Sequence, residues 1–335
     1  MERKQNGNKV SSNGRTHHGE QSAPPQLFDG VNMAAWVRRL PSSWIPYVQL
    51  ARLSPPVPIL LIFFPHLFGV AYVAAVQHTP FADTFRVTAI LFGASIFLSN
   101  AIHGWNDLID APIDAKIQRT KNRPIPRGAI SPRAAFVFTA SQALLAGCFL
   151  FLLPAETAWY SIPAVVTNYY YPYSKRHIQL PQLVLGMALQ WAVVLGTTAI
   201  GLRNAWTNKS VLCLFFASLL WTVVYDTVYG YQDYEEDLKL GVGSTAVLFG
   251  KSKGKIFLWL LSNSIVALLW ASGSISQMSI VYFTIAVGGC FVSLNLMTVY
   301  VDIRSPDSCA WWFVYGFWGP ALSISAGLLS EYYFR

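Results

Sequence analysis

The chain has 335 residues, of which 53% are hydrophobic and 12% are charged, and it carries a formal net charge of +8. Soluble globular domains contain about 25% charged residues, so this composition excludes an ordinary soluble enzyme and predicts an integral membrane protein. In so apolar a chain, the positive charge predicts cationic loops that face the cytosol or anionic lipid, rather than nucleic-acid binding.

The N-terminal segment, residues 1–33, is polar and contains no apolar run long enough for a secretory signal peptide. It is also poor in arginine and contains acidic residues, which is unlike a mitochondrial transit peptide. We therefore expect a disordered cytosolic tail. The remainder, residues 34–335, is predicted to form a single membrane-embedded domain that starts with either an interfacial helix or a linker over 34–50.

Nine stretches are apolar and long enough to cross a bilayer, which requires about 20 residues in a helix. They are 58–77, 85–103, 134–153, 156–172, 183–202, 210–230, 256–273, 279–301 and 309–332. Lysine and arginine concentrate in the N-terminal segment and in the connectors after the second, fourth and sixth spans, which the positive-inside rule places in the cytosol. The predicted fold is an all-α integral membrane bundle of nine transmembrane helices.

Acidic residues are concentrated in two short segments, which follow the second and the sixth predicted span. They are Asp107, Asp110 and Asp114 in the first, and Asp226, Asp233, Glu235, Glu236 and Asp237 in the second. The two segments lie four helices apart and on the same membrane face. This arrangement predicts two pseudo-repeated four-helix units plus one further helix.

The spacing of these aspartates predicts a magnesium site. Asp110 and Asp114 are four residues apart, as are Asp233 and Asp237, so each pair would share one face of a helix that continues out of the bilayer. Neighbouring carboxylates repel one another unless a cation lies between them, and Mg²⁺ prefers carboxylate, phosphate and water oxygens. Arginine and lysine nearby would contact phosphate directly, which indicates a site for Mg²⁺ and a diphosphate.

Two simpler interpretations of the acidic segments remain open on these residues alone. One is an ordinary solvated loop, although such a loop does not require the same aspartate spacing in two matched places. The other is a membrane transporter that couples ion binding to carboxylates. Coupling carboxylates usually lie near the bilayer midplane, whereas these aspartates lie at the ends of predicted spans.

The segment NDLIDAPIDAKIQRTKNRPIPRGAIS, which begins at residue 106, resembles the first signature of the UbiA family of intramembrane prenyltransferases. YDTVYGYQDYEEDLKLGVGSTAVLFG, residues 225–250, is similar to the second signature. YYPYSKRHIQLPQLVLG at 170–186 and LARLSPPVPILLIFFP at 50–65 resemble two further segments of the family, although Pro56 replaces the usual lysine. Three ordered and spaced motifs are a specific signal.

The resemblance implies roles for particular side chains. Those that match metal-binding aspartates are Asp107, Asp110, Asp114, Asp233 and Asp237. Those that match groups holding the diphosphate are Asn106, Arg119, Arg123, Lys175 and Arg176. Arg52 matches an arginine that meets an acidic acceptor, and Asp107, Asp226 and Tyr229 are the catalytic candidates. Asp226 would orient or deprotonate a phenol or else join the metal shell. Pro112 would bend a helix inside the first motif, which leaves open whether Asp114 keeps its place in the metal site.

The resemblance also implies an activity: Mg²⁺-dependent transfer of a prenyl group, with farnesyl favoured, from an isoprenoid diphosphate to a phenolic acid or aromatic polyketide. The branch of the family that makes fungal meroterpenoids in an endoplasmic-reticulum-type membrane fits best. The alternative is a 4-hydroxybenzoate polyprenyltransferase of ubiquinone biosynthesis in the mitochondrial inner membrane. A transporter and a terpene cyclase remain as alternatives of other classes.

Overall fold

The structure, a computed structural model, describes residues 33–335, and the predicted tail lies outside this range except for its last residue. The helices, in chain order, are α1 (Ile45–Leu50), α2 (Val57–Gln77), α3 (Phe81–Asp114), α4 (Pro132–Cys148), α5 (Ala155–Ser174), α6 (Pro181–Gln190), α7 (Ala192–Ala199), α8 (Lys209–Gly230), α9 (Tyr234–Leu240), α10 (Thr245–Ile275), α11 (Ile280–Tyr282), α12 (Gly289–Tyr300), α13 (Pro306–Tyr315) and α14 (Trp318–Phe334). A 3-10 turn, Phe149–Leu152, extends α4, and a π-helical turn, Phe283–Gly288, joins α11 to α12.

The described residues contain eight helical segments that are long and apolar enough to cross a membrane. Three of these segments each join consecutive helices, namely α6 with α7, α11 with α12, and α13 with α14. The predicted count of nine is therefore not confirmed. The fourth predicted span, 156–172, is the one that is not among the eight. It does form helix α5, but its tyrosines, threonines and asparagine make it less apolar than the others.

The segment over 34–50 is neither one interfacial helix nor a plain linker. It forms a 3-10 turn, Val37–Arg39, followed by the short helix α1. Pro41 lies between them, and because proline has no N–H to donate, it cannot continue a helix in which that hydrogen bond is needed. Trp36 and Trp44 remain exposed here, as is usual for aromatic residues at a membrane surface.

The two acidic segments adopt different backbones. Helix α3 is 34 residues long and continues past the predicted span to Asp114, with Pro112 inside its last turn. The first motif is therefore helical throughout its aspartates, as its spacing predicts. The second motif is not, because α8 ends at Gly230 and Asp237 belongs to the separate helix α9. The prediction of one continuing helix was wrong there, since residues 231–233 form a turn.

The main core lies between α2, α8, α10, α12 and α14, where Phe68, Trp221 and Phe317 are among the fully buried rings. Helices α4 and α5 are far more exposed, as expected for helices whose outer faces meet lipid. Helices α2 and α7 approach so closely that their backbones touch. A Cβ atom on Gly69 would collide with the main-chain oxygen of Val193, and one on Gly196 with that of His66. Small residues at such contacts are typical of packed membrane helices.

Replacing Gly69 by alanine tests this backbone contact. We expect Gly69→Ala to lower the free energy of unfolding by about 1–3 kcal/mol, because the added methyl group forces α2 and α7 apart. Gly147→Ala is the matched control, since a Cβ atom there meets nothing within 4 Å. Thermal unfolding in detergent measures both variants. Equal melting midpoints for the two variants would contradict the close packing of α2 on α7.

Candidate active site

The carboxylates of the first motif are buried. Asp107, Asp110 and Asp114 expose only 2%, 4% and 5% of their surfaces, and they occupy the last two turns of α3, where spacings of three and four residues place them on one face. Burial at this level excludes the interpretation of the motif as a solvated loop. Because an isolated buried charge is very costly, each carboxylate requires a cation close by.

Two arginines neutralise the outer carboxylates of this motif. Arg52 donates to Asp107 Oδ1 at 2.9 Å, and Arg123 donates to the same oxygen at 3.2 Å and to Asp114 Oδ2 at 2.8 Å. Arg123 comes from the connector between α3 and α4, whose turns fold back over the end of α3. Pro112 therefore does not turn Asp114 away from the cluster, because its carboxylate shares Arg123 with Asp107.

Lysine 175, which follows the last residue of α5, reaches the centre of the motif. Its Nζ donates to Asp110 Oδ2 at 2.7 Å and to Asn106 Oδ1 at 3.4 Å. Burial alone would lower the pKa of this amine, but the Asp110 carboxylate holds it above its ordinary value. The lysine is therefore a permanent cation beside Asp110. Its ammonium also lies 4.8 Å from the centre of the Tyr171 ring, within the range of a cation–π contact.

Arginine 119 joins the two acidic motifs. Its Nε donates to Asp233 Oδ1 at 2.9 Å, and its Nη2 makes a second, very short bond to Asp233 Oδ2. Its Nη1 donates to the Tyr229 hydroxyl at 2.6 Å. Such a two-point pair fixes direction as well as distance. Arg119 follows the first motif by only five positions, and it is thereby bound to Asp233 of the second motif, 114 residues further along the chain.

These side chains surround one cavity with about 1300 Å³ of empty space, counted out to where it opens to solvent. Eleven of the predicted site residues line it: Arg52, Asn106, Asp110, Asp114, Arg119, Arg123, Lys175, Asp226, Tyr229, Asp233 and Asp237. Asp107 is not in the lining, because Arg52 and Arg123 lie over its carboxylate. Arg176 also lies outside it, and its guanidinium donates to the main-chain oxygen of Ile109 at 2.7 Å.

Several lining residues were missed by the sequence analysis. Gln182 is in the PQ pair of the 170–186 segment, which was a usable signal, and its Oε1 accepts a hydrogen bond from the Thr245 main-chain N–H at 3.0 Å. Phe313 on α13 also lines the cavity and packs 4.4 Å from the Tyr229 ring centre. No local pattern marks Phe313, because it reaches the site through the packing of α13 against α8.

An apolar groove adjoins the polar cavity and contains about 1430 Å³ of empty space. It runs between α3, α4, α5, α6 and α7, and its walls are formed largely by alanine, leucine and aromatic side chains. Ile62, Ile102 and Leu189 line both spaces. The charged cavity and the apolar groove are therefore neighbours that share part of one wall.

The carboxylates suit a hard divalent cation. The site contains four cations, Arg52, Arg119, Arg123 and Lys175, and six carboxyl groups: Asp107, Asp110, Asp114, Asp226, Asp233 and Asp237. If all of them are ionised, two negative charges remain without a matching cation. The excess of negative charge affects Asp237 on α9. Burial, and then the neighbouring Asp233 carboxylate, raise the pKa of Asp237 to about 7. Asp110 Oδ1 is buried without a hydrogen-bond partner in the described chain.

The aspartates do not, however, form a closed cage. Among residues 33–335, no three carboxylate, imidazole or thiol groups are gathered as a metal site, because each aspartate of the first motif leans towards a cation. Mg²⁺ commonly takes only one or two protein carboxylates and completes its shell with phosphate oxygens and water. The residues present therefore fit a metal that arrives together with a phosphate ligand.

Comparison with known sequences points to one family. The profile of the UbiA prenyltransferase family matches residues 62–319. The chain is 35% identical over 276 residues to the polyprenyl transferase andD of Emericella variicolor, covering 82% of this chain and 83% of that protein. It is 32% identical over 290 residues to the mitochondrial 4-hydroxybenzoate polyprenyltransferase of Saccharomyces cerevisiae, covering 86% of this chain and 76% of that protein.

Solved structures of similar fold belong to the same family. The apo structure of a UbiA homolog from Aeropyrum pernix K1 superposes with a TM-score of 0.65 and 24% identity, covering 80% of this chain and 97% of that one. A UbiA homolog from Archaeoglobus fulgidus, bound to GPP and Mg²⁺, gives a TM-score of 0.63 at 18% identity, covering 85% and 99%. These likenesses establish the fold.

The pair of Arg119 and Asp233 can be tested with a double-mutant cycle. We expect Arg119→Gln to lower the free energy of unfolding by about 3 kcal/mol, because Asp233 would be left as a buried charge without its guanidinium. Adding Asp233→Asn should recover part of the loss. Arg176→Gln, whose guanidinium lies outside the cavity, is the control and should change stability little. Strictly additive effects of the two site substitutions would contradict the coupling.

Proposed function

Because the chain belongs to the UbiA prenyltransferase family, and is a membrane-embedded transferase of prenyl groups, we propose that it transfers the prenyl group of an isoprenoid diphosphate to an aromatic acceptor. The observation that carries this proposal is the adjacency of two spaces. A charged cavity of aspartates, arginines and a lysine lies beside an apolar groove and shares Ile62, Ile102 and Leu189 with it. A ligand with a diphosphate at one end and a hydrocarbon chain at the other matches both parts.

The charged cavity would hold the diphosphate. Arg119, Arg123 and Lys175 are the cations of its lining that would exchange aspartate partners for phosphate oxygens. Asp110, Asp114, Asp233 and Asp237 would hold Mg²⁺, with Asp107 supporting them through Arg123. When bound, the metal supplies positive charge that stabilises the leaving diphosphate. Asn106 hydrogen-bonds to Lys175 and would orient it.

The apolar groove would hold the hydrocarbon chain of the donor. Its walls offer no charged group, so each methylene group of the chain that leaves water contributes about 0.8 kcal/mol to binding. Leu91 and Leu153 line the groove at the end away from the charged cavity, where they pack with the buried Val87. We propose farnesyl diphosphate, a donor of limited length, as the ligand of this groove.

The reaction at the junction of the two spaces is an alkylation. The bond between the allylic carbon and the diphosphate oxygen breaks, the acceptor ring carbon forms a new bond to that carbon, and the ring then loses a proton. The faces of Tyr171 and Tyr229 line the cavity and would stabilise the cation-like allylic fragment. Asp226, one helical turn before Tyr229, is the proposed group that orients the phenol or accepts its proton.

The acceptor and the cellular setting follow from the branch of the family. We propose a phenolic acid or aromatic polyketide acceptor whose carboxylate meets Arg52, in fungal-type meroterpenoid biosynthesis in an endoplasmic-reticulum-type membrane with the motifs on the cytosolic side. The 35% identity to andD supports this branch. The 32% identity to the yeast mitochondrial enzyme supports the second candidate, a 4-hydroxybenzoate polyprenyltransferase of the mitochondrial inner membrane.

An acceptor screen tests the proposed reaction. Microsomes containing the chain are incubated with labelled geranyl, farnesyl, geranylgeranyl or octaprenyl diphosphate, Mg²⁺ and a panel of phenolic acids and polyketides. We expect a product that requires the acceptor, with the best rate for farnesyl diphosphate, and complete loss of product when a chelator removes the metal. A best rate with octaprenyl diphosphate and 4-hydroxybenzoate would favour the second candidate. Absence of acceptor-dependent product across the whole panel would overturn the transferase proposal.

Substitution of the carboxylates tests the residue assignments. We expect Asp110→Asn and Asp233→Asn each to lower turnover by about 10²–10³-fold, because each removes a group that would hold the metal against the developing charge. Asp302→Asn is the matched control, since Asp302 is exposed beyond the end of α12 and outside the cavity. The amount of folded protein in the membrane is measured for each variant. Turnover retained in both site variants would contradict the metal assignment.

A further inference from the structure

Tyrosine 225 is a buried polar residue that the roles above leave unused. Its hydroxyl is shielded from solvent and makes no hydrogen bond of good geometry in the described chain, although the Thr222 side chain lies close to it, and only 4% of the residue is exposed. The three other buried tyrosines are all satisfied: Tyr72 bonds to Ser276, Tyr231 to the Gly250 oxygen and Tyr282 to the Leu269 oxygen. An unpaired buried hydroxyl destabilises the folded chain, so phenylalanine would suit the packing better.

The position of Tyr225 relates this hydroxyl to a ligand. The residue lines the charged cavity next to Asp226 and lies one helical turn, about 6 Å, deeper in α8 than Tyr229. The guanidinium of Arg119 is bound at the level of Tyr229 and Asp233. Tyr225 therefore lies on the membrane side of the groups that would hold the diphosphate, where the allylic carbon and the acceptor ring must meet.

The ring of Tyr225 is firmly held. Trp221 packs edge-on against it with ring centres 5.5 Å apart, and Phe313 and Phe317 pack at 6.0 and 6.4 Å. These contacts prevent the side chain from swinging away to find another partner. Of these rings, Tyr225 on α8 and Phe313 on α13 line the charged cavity and form an aromatic wall there, with Trp221 and Phe317 packed behind them. Such a wall suits a flat aromatic ligand, since offset and edge-on ring contacts stabilise one another.

We propose that the wall formed by Tyr225 and Phe313 is the acceptor subsite, and that the Tyr225 hydroxyl hydrogen-bonds to the phenolic oxygen of the acceptor. This inference rests on the proposed prenyl transfer and specifies how the acceptor is selected. A site with a buried hydroxyl discriminates against a ligand that cannot pair with it, because the hydroxyl would stay unsatisfied in the complex. Tyr225 therefore selects phenols over aromatic acids without a hydroxyl group.

The experiment compares two probes, 4-hydroxybenzoate and benzoate, on the full chain in detergent. Equilibrium binding is measured by thermal shift and by fluorescence titration, with Mg²⁺ and inorganic diphosphate present. We expect the wild type to prefer 4-hydroxybenzoate by about tenfold, and Tyr225→Phe to reduce this preference to about twofold, because the proposed contact of Asp226 with the phenol remains. Without ligand, Tyr225→Phe should melt at the same temperature as the wild type or above it, because it removes an unpaired hydroxyl.

Tyr282→Phe is the control, because its hydroxyl is also buried but bonds to the Leu269 oxygen away from the cavity. It should lower the melting temperature and keep the wild-type preference. If Tyr225→Phe keeps the full wild-type preference for 4-hydroxybenzoate, or if the wild type itself shows no preference, the subsite is overturned. In a parallel assay, product formation by the wild type from farnesyl diphosphate is measured. If the wild type forms product but Tyr225→Phe keeps the full preference, the subsite alone is contradicted. If the wild type forms no product but Tyr225→Phe loses preference, the transferase proposal is contradicted and the subsite is supported.

Discussion

The structure depends on the neutralisation of carboxylates that lie inside the protein. Each buried aspartate of the first motif is held by a cation from a different part of the chain, and the link from Arg119 to Asp233 draws the second motif to the same place. These ion pairs compensate the buried negative charges within the chain itself. The electrostatic cost of burying so many acids forces the connector after α3, the end of α5 and the end of α8 to converge, and their convergence creates the cavity.

This constraint would also explain why the proposed sites for metal and phosphate coincide. A guanidinium that pairs with aspartate has the planar, two-point geometry that also suits phosphate. In the proposed complex with a diphosphate and a divalent ion, the arginines would hold the phosphate and the aspartates would hold the metal. The number of buried charges without a partner then stays low throughout binding. The resting ion pairs thus keep the same side chains in position for the ligand.

Much of this arrangement could be predicted from the sequence. Apolar runs of about 20 residues locate the helices, because length and hydropathy suffice to describe a membrane span. The aspartate spacing locates both halves of the site on one face of the membrane. The continuation of α3 to Asp114 was also predictable, since the spacing of the first motif is that of a helix and a proline in the last turn removes only one internal hydrogen bond.

Other features depend on tertiary packing and could not be predicted. Glycine often ends helices, and the predicted sixth span also ends at Gly230, but the aspartate spacing beyond it gives no sign that Asp237 lies on a separate helix. The burial of Asp107 behind two arginines requires knowledge of where Arg52 lies, 55 residues away. Phe313 and the unpaired hydroxyl of Tyr225 are likewise visible only once α13 rests on α8. A single sequence identifies which groups are available, whereas the folded chain decides which of them remain without a partner.

The short link between α4 and α5 has a consequence for the fate of the product. The 3-10 turn Phe149–Leu152 and two further residues tie the far ends of these helices together, while towards the charged cavity α4 rests on α3 and α5 on α6. Ala143 and Val165, which line the groove from either helix, are exposed on the side that faces lipid. A molecule that gains a hydrocarbon chain here can diffuse sideways into the bilayer without passing through water. An enzyme that modifies this product next must take it up from the membrane, so the consecutive reactions take place in the plane of the bilayer.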